Sequence, residues 1–104
     1  MITVTFFGNE NIKGFKVIGH SDYSEQGSDI VCSAVSSAVY MTANTITDVL
    51  KAKADIKVSD GSLYLMLNDS DIALCSSALE GLRLHLLELS KQYQKYITVT
   101  ISEV

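Results

Sequence analysis

The stretch "DIKVSDGSLYLMLN", residues 55–68, decides the fold class because it holds two β-favouring segments on either side of a turn signal. Asp60-Gly61 is a strong two-residue hairpin signal, since a type I′ turn needs positive φ at both central positions. We therefore predict two antiparallel strands, over residues 55–59 and 62–67.

A second hairpin is predicted at the start of the chain. Apolar residues alternate in "MITVTFF" and again in "GFKVIGH", and the turn-rich "GNENIKG" lies between them. These segments predict strands over residues 2–7 and 14–19. Near the other end, "YITVTISEV" alternates through Ile97, Val99 and Ile101, which predicts a fifth strand.

Two segments with helical spacing separate the strands. The first runs from Ile30 to about Ala52, and its repeating positions are Val31, Val35, Ala38, Thr42, Ile46 and Val49. The second follows "NDSD", and its apolar stripe is Ile72, Cys75, Leu79, Leu82, Leu86, Leu89 and Tyr93. The order β-β-α-β-β-α-β predicts an α+β, two-layer domain with two helices packed on one face of a mostly antiparallel sheet.

Length and composition predict one domain over residues 1–104. The chain has 47% hydrophobic residues, no proline and no low-complexity linker. Its formal net charge of −4, with scattered lysines and arginines, argues against a nucleic-acid ligand. No basic segment followed by an apolar one opens the chain, and no uninterrupted apolar run approaches the roughly 18 residues of a membrane span. We expect a soluble cytoplasmic protein.

The second helix also carries leucines that lie off its main stripe, namely Leu74, Leu84 and Leu87. A second apolar face indicates either deeper burial within the domain or a homodimer interface. The sequence alone leaves both interpretations open.

The two cysteines, Cys32 and Cys75, lie 43 positions apart without metal-ligand spacing, so we expect reduced thiols and neither a metal nor a cofactor. Cys75 belongs to the apolar stripe and is predicted to lie in the core. His85 is ten positions further along the same helix, about 15 Å along its axis, which is too far for a dyad within one subunit.

Cys32 follows a candidate helix start. Aspartate is a preferred N-cap, so Asp29 predicts that Cys32 occupies about the third helical position. The positive end of the helix dipole favours thiolate there, and the free N–H groups of the first turn are the donors that an oxyanion requires.

His20 ends the second predicted strand, and the intervening loop is long enough to bring its imidazole to the helix start. In a Cys/His pair the imidazole accepts the thiol proton and later protonates the leaving amine. Asp22 and Asp29 are the candidates for a third group that orients the histidine. The alternative is a buried thiol and an ordinary loop histidine.

The segment "GHSDYSEQGSDIVCSAVSSA", residues 19–38, resembles the signature of the Prp family of ribosomal-processing cysteine proteases. The resemblance implies that Cys32 is the nucleophile, that His20 is the general base, and that Asp29 matches an acidic residue that orients the histidine, caps the helix, or both. It also implies a loop that closes over the substrate, formed by Ser21, Asp22, Tyr23, Ser24, Glu25, Gln26, Gly27 and Ser28.

The same resemblance implies a homodimeric endopeptidase that removes the N-terminal extension of a large-subunit ribosomal protein precursor. Cleavage would follow an aromatic residue and proceed through a thioester acyl-enzyme. Ser21, Ser24 and Gln26 depart from the family's usual residues and bear on substrate preference rather than on the catalytic groups. A non-catalytic ribosome-associated binding module and a thiol redox sensor are the alternative functions.

Overall fold

The computed structural model describes residues 1–19 and 28–103, with the backbone alone at Ser28 and Asp29. This part of the chain follows the predicted order of elements. The strands and main helices are β1 (Ile2–Phe7), β2 (Gly14–Ile18), α1 (Ser28–Asn44), β3 (Ala54–Ser59), β4 (Ser62–Leu67), α2 (Ile72–Gln92) and β5 (Ile97–Ser102). A π-helical turn, Thr45–Val49, extends α1, and a 3₁₀ turn, Asp69–Asp71, precedes α2.

The strands form one sheet in the order β3-β4-β2-β1-β5. Both hairpins are antiparallel, β2 pairs antiparallel with β4, and β1 pairs parallel with β5. The parallel pair arises because α2 carries the chain back across the sheet, so that β5 runs in the direction of β4 and β1. The predicted α+β fold, with two helices on a mostly antiparallel sheet, is confirmed.

The hairpin at Asp60-Gly61 is present, but the predicted turn type is wrong. Ser59 pairs with Ser62 across the two-residue turn. Gly61 has φ of 79°, whereas Asp60 does not share its positive φ. A type I′ turn requires positive φ at both positions, so glycine here supplies the left-handed conformation at the second one only.

The core lies between the helices and one face of the sheet. Alternate residues of the strands and one stripe of each helix point into it, as the two periodicities require. Its fully buried members are Val4, Phe6, Phe15, Val31, Val35, Ile46, Leu65, Cys75, Leu79 and Leu86. Cys75 is therefore buried, as predicted from its place in the apolar stripe.

The first helix ends earlier than Ala52, where its periodic pattern ended. The hydroxyls of Thr42 and Thr45 donate to backbone carbonyls four residues earlier, at 2.9 and 2.8 Å. Such bonds compete with the regular ladder and loosen a helix, and the backbone here widens into the π-helical turn. Lys51 then adopts a left-handed φ of 57°, and the N–H of Ala52 donates to the carbonyl of Ile46.

Residues Ile30–Val49 form the one helical segment, among the residues described, that is long and apolar enough to cross a membrane by length and composition. Some of the apolar side chains of this segment lie in the core. Val31, Val35 and Val39 are buried against the sheet. The core helix of a soluble protein can have the same length and composition, so these two properties do not by themselves indicate a membrane span.

The leucines off the stripe of α2 do not lie deep within the chain. Leu74 and Leu84 are 51% and 58% exposed, and Leu87 is partly buried. The interpretation of deeper burial is therefore wrong for Leu74 and Leu84. Both side chains are exposed on α2, outside its buried stripe.

The loss in free energy of unfolding when a valine of the sheet is truncated should depend on how deeply that valine is buried. Val4 of β1 is 0% exposed and Val58 of β3 is 60% exposed. We expect Val4→Ala to lower the free energy of unfolding by about 2 kcal/mol, and Val58→Ala to lower it by less than about 1 kcal/mol. Urea denaturation measures both, and equal losses would contradict the assigned core.

Candidate active site

Cys32 lines a pocket of about 180 Å³ at one end of the sheet. The pocket lies between α1, the end of β2 and the β3–β4 turn. Its lining consists of Val17, Gly19, Cys32, Val35, Ser36, Val39, Tyr40, Ser59, Asp60, Gly61, Ser62 and Leu63. The predicted nucleophile thus opens onto a concave surface rather than lying sealed in the core.

The side of α1 that faces the pocket follows from helical spacing. Cys32, Ser36 and Tyr40 are four residues apart and share one side of the helix. Val35 and Val39, each one position earlier than Ser36 and Tyr40, are buried and form the apolar floor. Cys32 is consequently held at the border between core and solvent, where it is partly exposed.

The helix begins at Ser28, so Asp29 has helical backbone and lies inside the first turn rather than before it. The predicted third position of Cys32 is therefore wrong, because Cys32 is the fifth residue of α1. The free N–H groups belong to the first turn, so donors from the helix start lie N-terminal to Cys32.

His20 and residues 21–27 of the predicted substrate loop fall outside the described residues, as does the side chain of Asp29. The backbone just before His20 is described and is closely held. The N–H of Gly19 donates to the carbonyl of Gly61 at 2.9 Å. Gly19 has φ of 114°, and a Cβ there would clash with the carbonyl oxygen of Met1. The chain therefore leaves β2 at Gly19, which lines the pocket of Cys32.

Sequence reasoning did not predict the polar residues that line this pocket, among them Tyr40 and Asp60. Tyr40 could have been found from its spacing of eight residues from Cys32 along one helix. Asp60 carried no such signal, because it reaches the pocket through the pairing of β4 with β2, in which Leu63 faces Val17.

The remaining cysteine and histidine lie apart from this pocket. Burial raises the pKa of the Cys75 thiol, and the negative charge of Asp71 adds to the shift. His85 is exposed and lines a separate groove of about 750 Å³ between α1 and α2. Over residues 1–19 and 28–103, no three His, Cys, Asp or Glu residues form a group that could hold a metal ion.

Comparison with known proteins gives the family. A family model described as "Cysteine protease Prp" matches residues 1–98. The chain belongs to the Prp family of cysteine proteases. A Prp relative from Staphylococcus aureus, strain Mu50, named "Ribosomal processing cysteine protease Prp", is 29% identical over 101 residues, which cover 93% of this chain and 95% of the relative.

Solved Prp structures share the fold. The Staphylococcus aureus enzyme, described as an essential ribosomal processing protease, has been solved with a substrate peptide and with a covalently linked product peptide. These structures match with TM-scores of 0.88 and 0.86, respectively. Each is 24% identical, and the match covers 98% of this chain and 100% of the Prp chain.

The two thiols of this Prp chain should differ in reactivity. Cys32 is partly exposed, whereas Cys75 is buried and its pKa is raised, so thiolate is disfavoured at Cys75. We expect iodoacetamide to label Cys32 in the native protein near neutral pH, and Cys75 only after unfolding in guanidinium. Peptide mapping by mass spectrometry assigns the labelled residue. Equal native labelling of both residues would contradict the described burial.

Proposed function

We propose that the chain is a cysteine endopeptidase that removes an N-terminal extension from the precursor of a large-subunit ribosomal protein. The observation that carries the proposal is the position of Cys32, which lies within the residues matched by the Prp family model and opens onto a pocket. The names of the Staphylococcus aureus relatives support ribosomal processing as the biological reaction.

In the proposed reaction, the Cys32 sulfur attacks the carbonyl carbon of the scissile bond. His20 accepts the thiol proton and returns it to the leaving amine, so the C–N bond breaks and a thioester remains. Water then attacks the thioester, gives a proton to His20 and releases the carboxyl product, after which the thiol regains its proton. Backbone N–H groups of the first turn of α1 are the proposed donors to the oxyanion.

The size of the pocket supports cleavage after an aromatic residue. A dry cavity of about 150 Å³ is known to hold a benzene molecule, and the pocket beside Cys32 has about 180 Å³. Its floor is formed by Val35, Val39 and Leu63, all buried. A phenyl ring on the residue before the scissile bond would therefore find both the space and the apolar contacts that it needs.

The nucleophile can be tested with purified protein and a precursor carrying the extension. We expect Cys32→Ala and His20→Ala each to lower kcat/KM by at least about a thousandfold, because they act as one unit. The control is Cys75→Ser, which alters the thiol outside the pocket and should keep cleavage in the fraction that folds. Mass spectrometry of the products identifies the cleaved bond.

Retained cleavage by Cys32→Ala would refute the assignment of the nucleophile. Binding of the precursor by the wild type without cleavage would favour the non-catalytic binding module instead. Circular dichroism of each variant checks that a loss of activity is not a loss of fold.

The proposal includes a homodimer that forms through the outer side of the helices. Leu74 and Leu84 are exposed there, and Met41 is exposed on the α1 side of the groove between the helices. Exposed apolar surface of this kind is typical of an interface between protein chains. In a two-fold dimer the same residues would contribute from both copies.

A charged side chain introduced on this surface should dissociate the proposed homodimer. We expect Leu84→Lys to shift the protein towards monomer in size-exclusion chromatography with light scattering, because a buried lysine without a partner opposes association. Val58→Lys is the matched control, since Val58 is equally exposed but lies on edge strand β3. A wild-type protein that stays monomeric at high concentration would refute the dimer.

A cytoplasmic location and a peptide partner rather than a nucleic acid complete the proposal. Cys32 and Cys75 are both free thiols, which suits a reducing compartment. The net charge of −4 opposes nonspecific binding to phosphate backbones. Recognition of the extension as a peptide is therefore sufficient for the proposed reaction.

A further inference from the structure

The β3–β4 turn forms the wall of the Cys32 pocket that faces α1. Ser59, Asp60, Gly61 and Ser62 all line the pocket. The side-chain oxygens of Ser59 and Ser62 are hydrogen-bonded at 2.7 Å, and the carbonyl of Gly61 accepts the N–H of Gly19. The turn is thus fixed both within its own hairpin and to the backbone that precedes His20.

Asp60 brings a negative charge to this wall. It is exposed, and among the described residues that line the pocket it is the one with a charged side chain. The salt bridges found over residues 1–19 and 28–103 join Arg83 to Glu80 and Lys91 to Glu88, so none of them engages Asp60. A carboxylate without an ion-pair partner among the described residues, beside a pocket with an apolar floor, attracts a cation and repels an anion.

We infer that Asp60 is a specificity-determining residue, whose carboxylate selects substrates with a lysine or arginine close to the apolar residue that enters the pocket. The inference rests on the proposed function and adds to it a charge preference. The pocket supplies apolar contacts to one substrate residue, and the turn supplies an electrostatic contact to a neighbouring one. A peptide that carries both features binds better than a peptide with the apolar residue alone.

The test uses synthetic peptides that share one phenylalanine and carry a single Lys, Gln or Glu, moved through the positions on either side of it. For wild type we expect kcat/KM for the Lys peptide to exceed that for the Glu peptide by about fivefold at one position, mainly through KM. The ratio should shrink in high salt, because screening weakens exposed charge pairs.

Asp60→Asn keeps the size of the side chain and removes its charge, so we expect the Lys-to-Glu ratio to fall to about one. Asp55→Asn is the matched control, because Asp55 is an exposed aspartate of the same hairpin outside the pocket. It should retain the wild-type ratio. An unchanged ratio in Asp60→Asn, or no preference in wild type, would overturn the inference.

The same peptides are bound to Cys32→Ala and followed by fluorescence anisotropy, which tests recognition separately from catalysis. We expect the Lys peptide to bind about fivefold more tightly than the Glu peptide, and the preference to disappear when Asp60→Asn is added. Binding with this preference but without cleavage by wild type would refute the proposed function and keep the inference. Cleavage without a charge preference would refute the inference and keep the proposed function.

Discussion

The packing of α1 on the sheet is the constraint on which the candidate site depends. Val31, Val35 and Val39 occupy one side of the helix and are buried. Cys32 follows Val31 by one position, which is a rotation of about 100° around the helix. Because the buried valines fix the rotation of α1 about its axis, the thiol of Cys32 lies at the border of the core. The sheet supplies the remaining walls of its pocket.

Sequence alone was sufficient for the elements, because their signals are local. The alternation in β1, the Asp60-Gly61 turn and the leucine stripe of α2 each lie within a short window, and their bounds agree to within one or two residues. The end of α1 was predicted too late, since the threonine side chains that loosen it do not interrupt the apolar pattern. The dipeptide Asp60-Gly61 also does not determine the sign of φ at Asp60.

Local sequence patterns do not determine the order of the strands in the sheet. They therefore do not predict the part of the site that depends on that order. Cys32 and His20 are predicted as catalytic residues from a contiguous segment of the chain. Asp60 joins Cys32 only because β4 lies beside β2, a pairing between residues that are far apart in the sequence. The start of α1 shows the same limit at short range, because Asp29 is a preferred N-cap residue and yet lies within the helix.

The contacts around Gly19 have a consequence for the timing of assembly. Gly19 lies against Met1 on one side and is bonded to Gly61 on the other. A nascent chain that contains α1 but not the β3–β4 hairpin therefore lacks the wall of the Cys32 pocket that residues 59–62 form. The pocket of Cys32 is complete only once the chain has been made as far as Leu67, at the end of β4, because residues 59–63 line it.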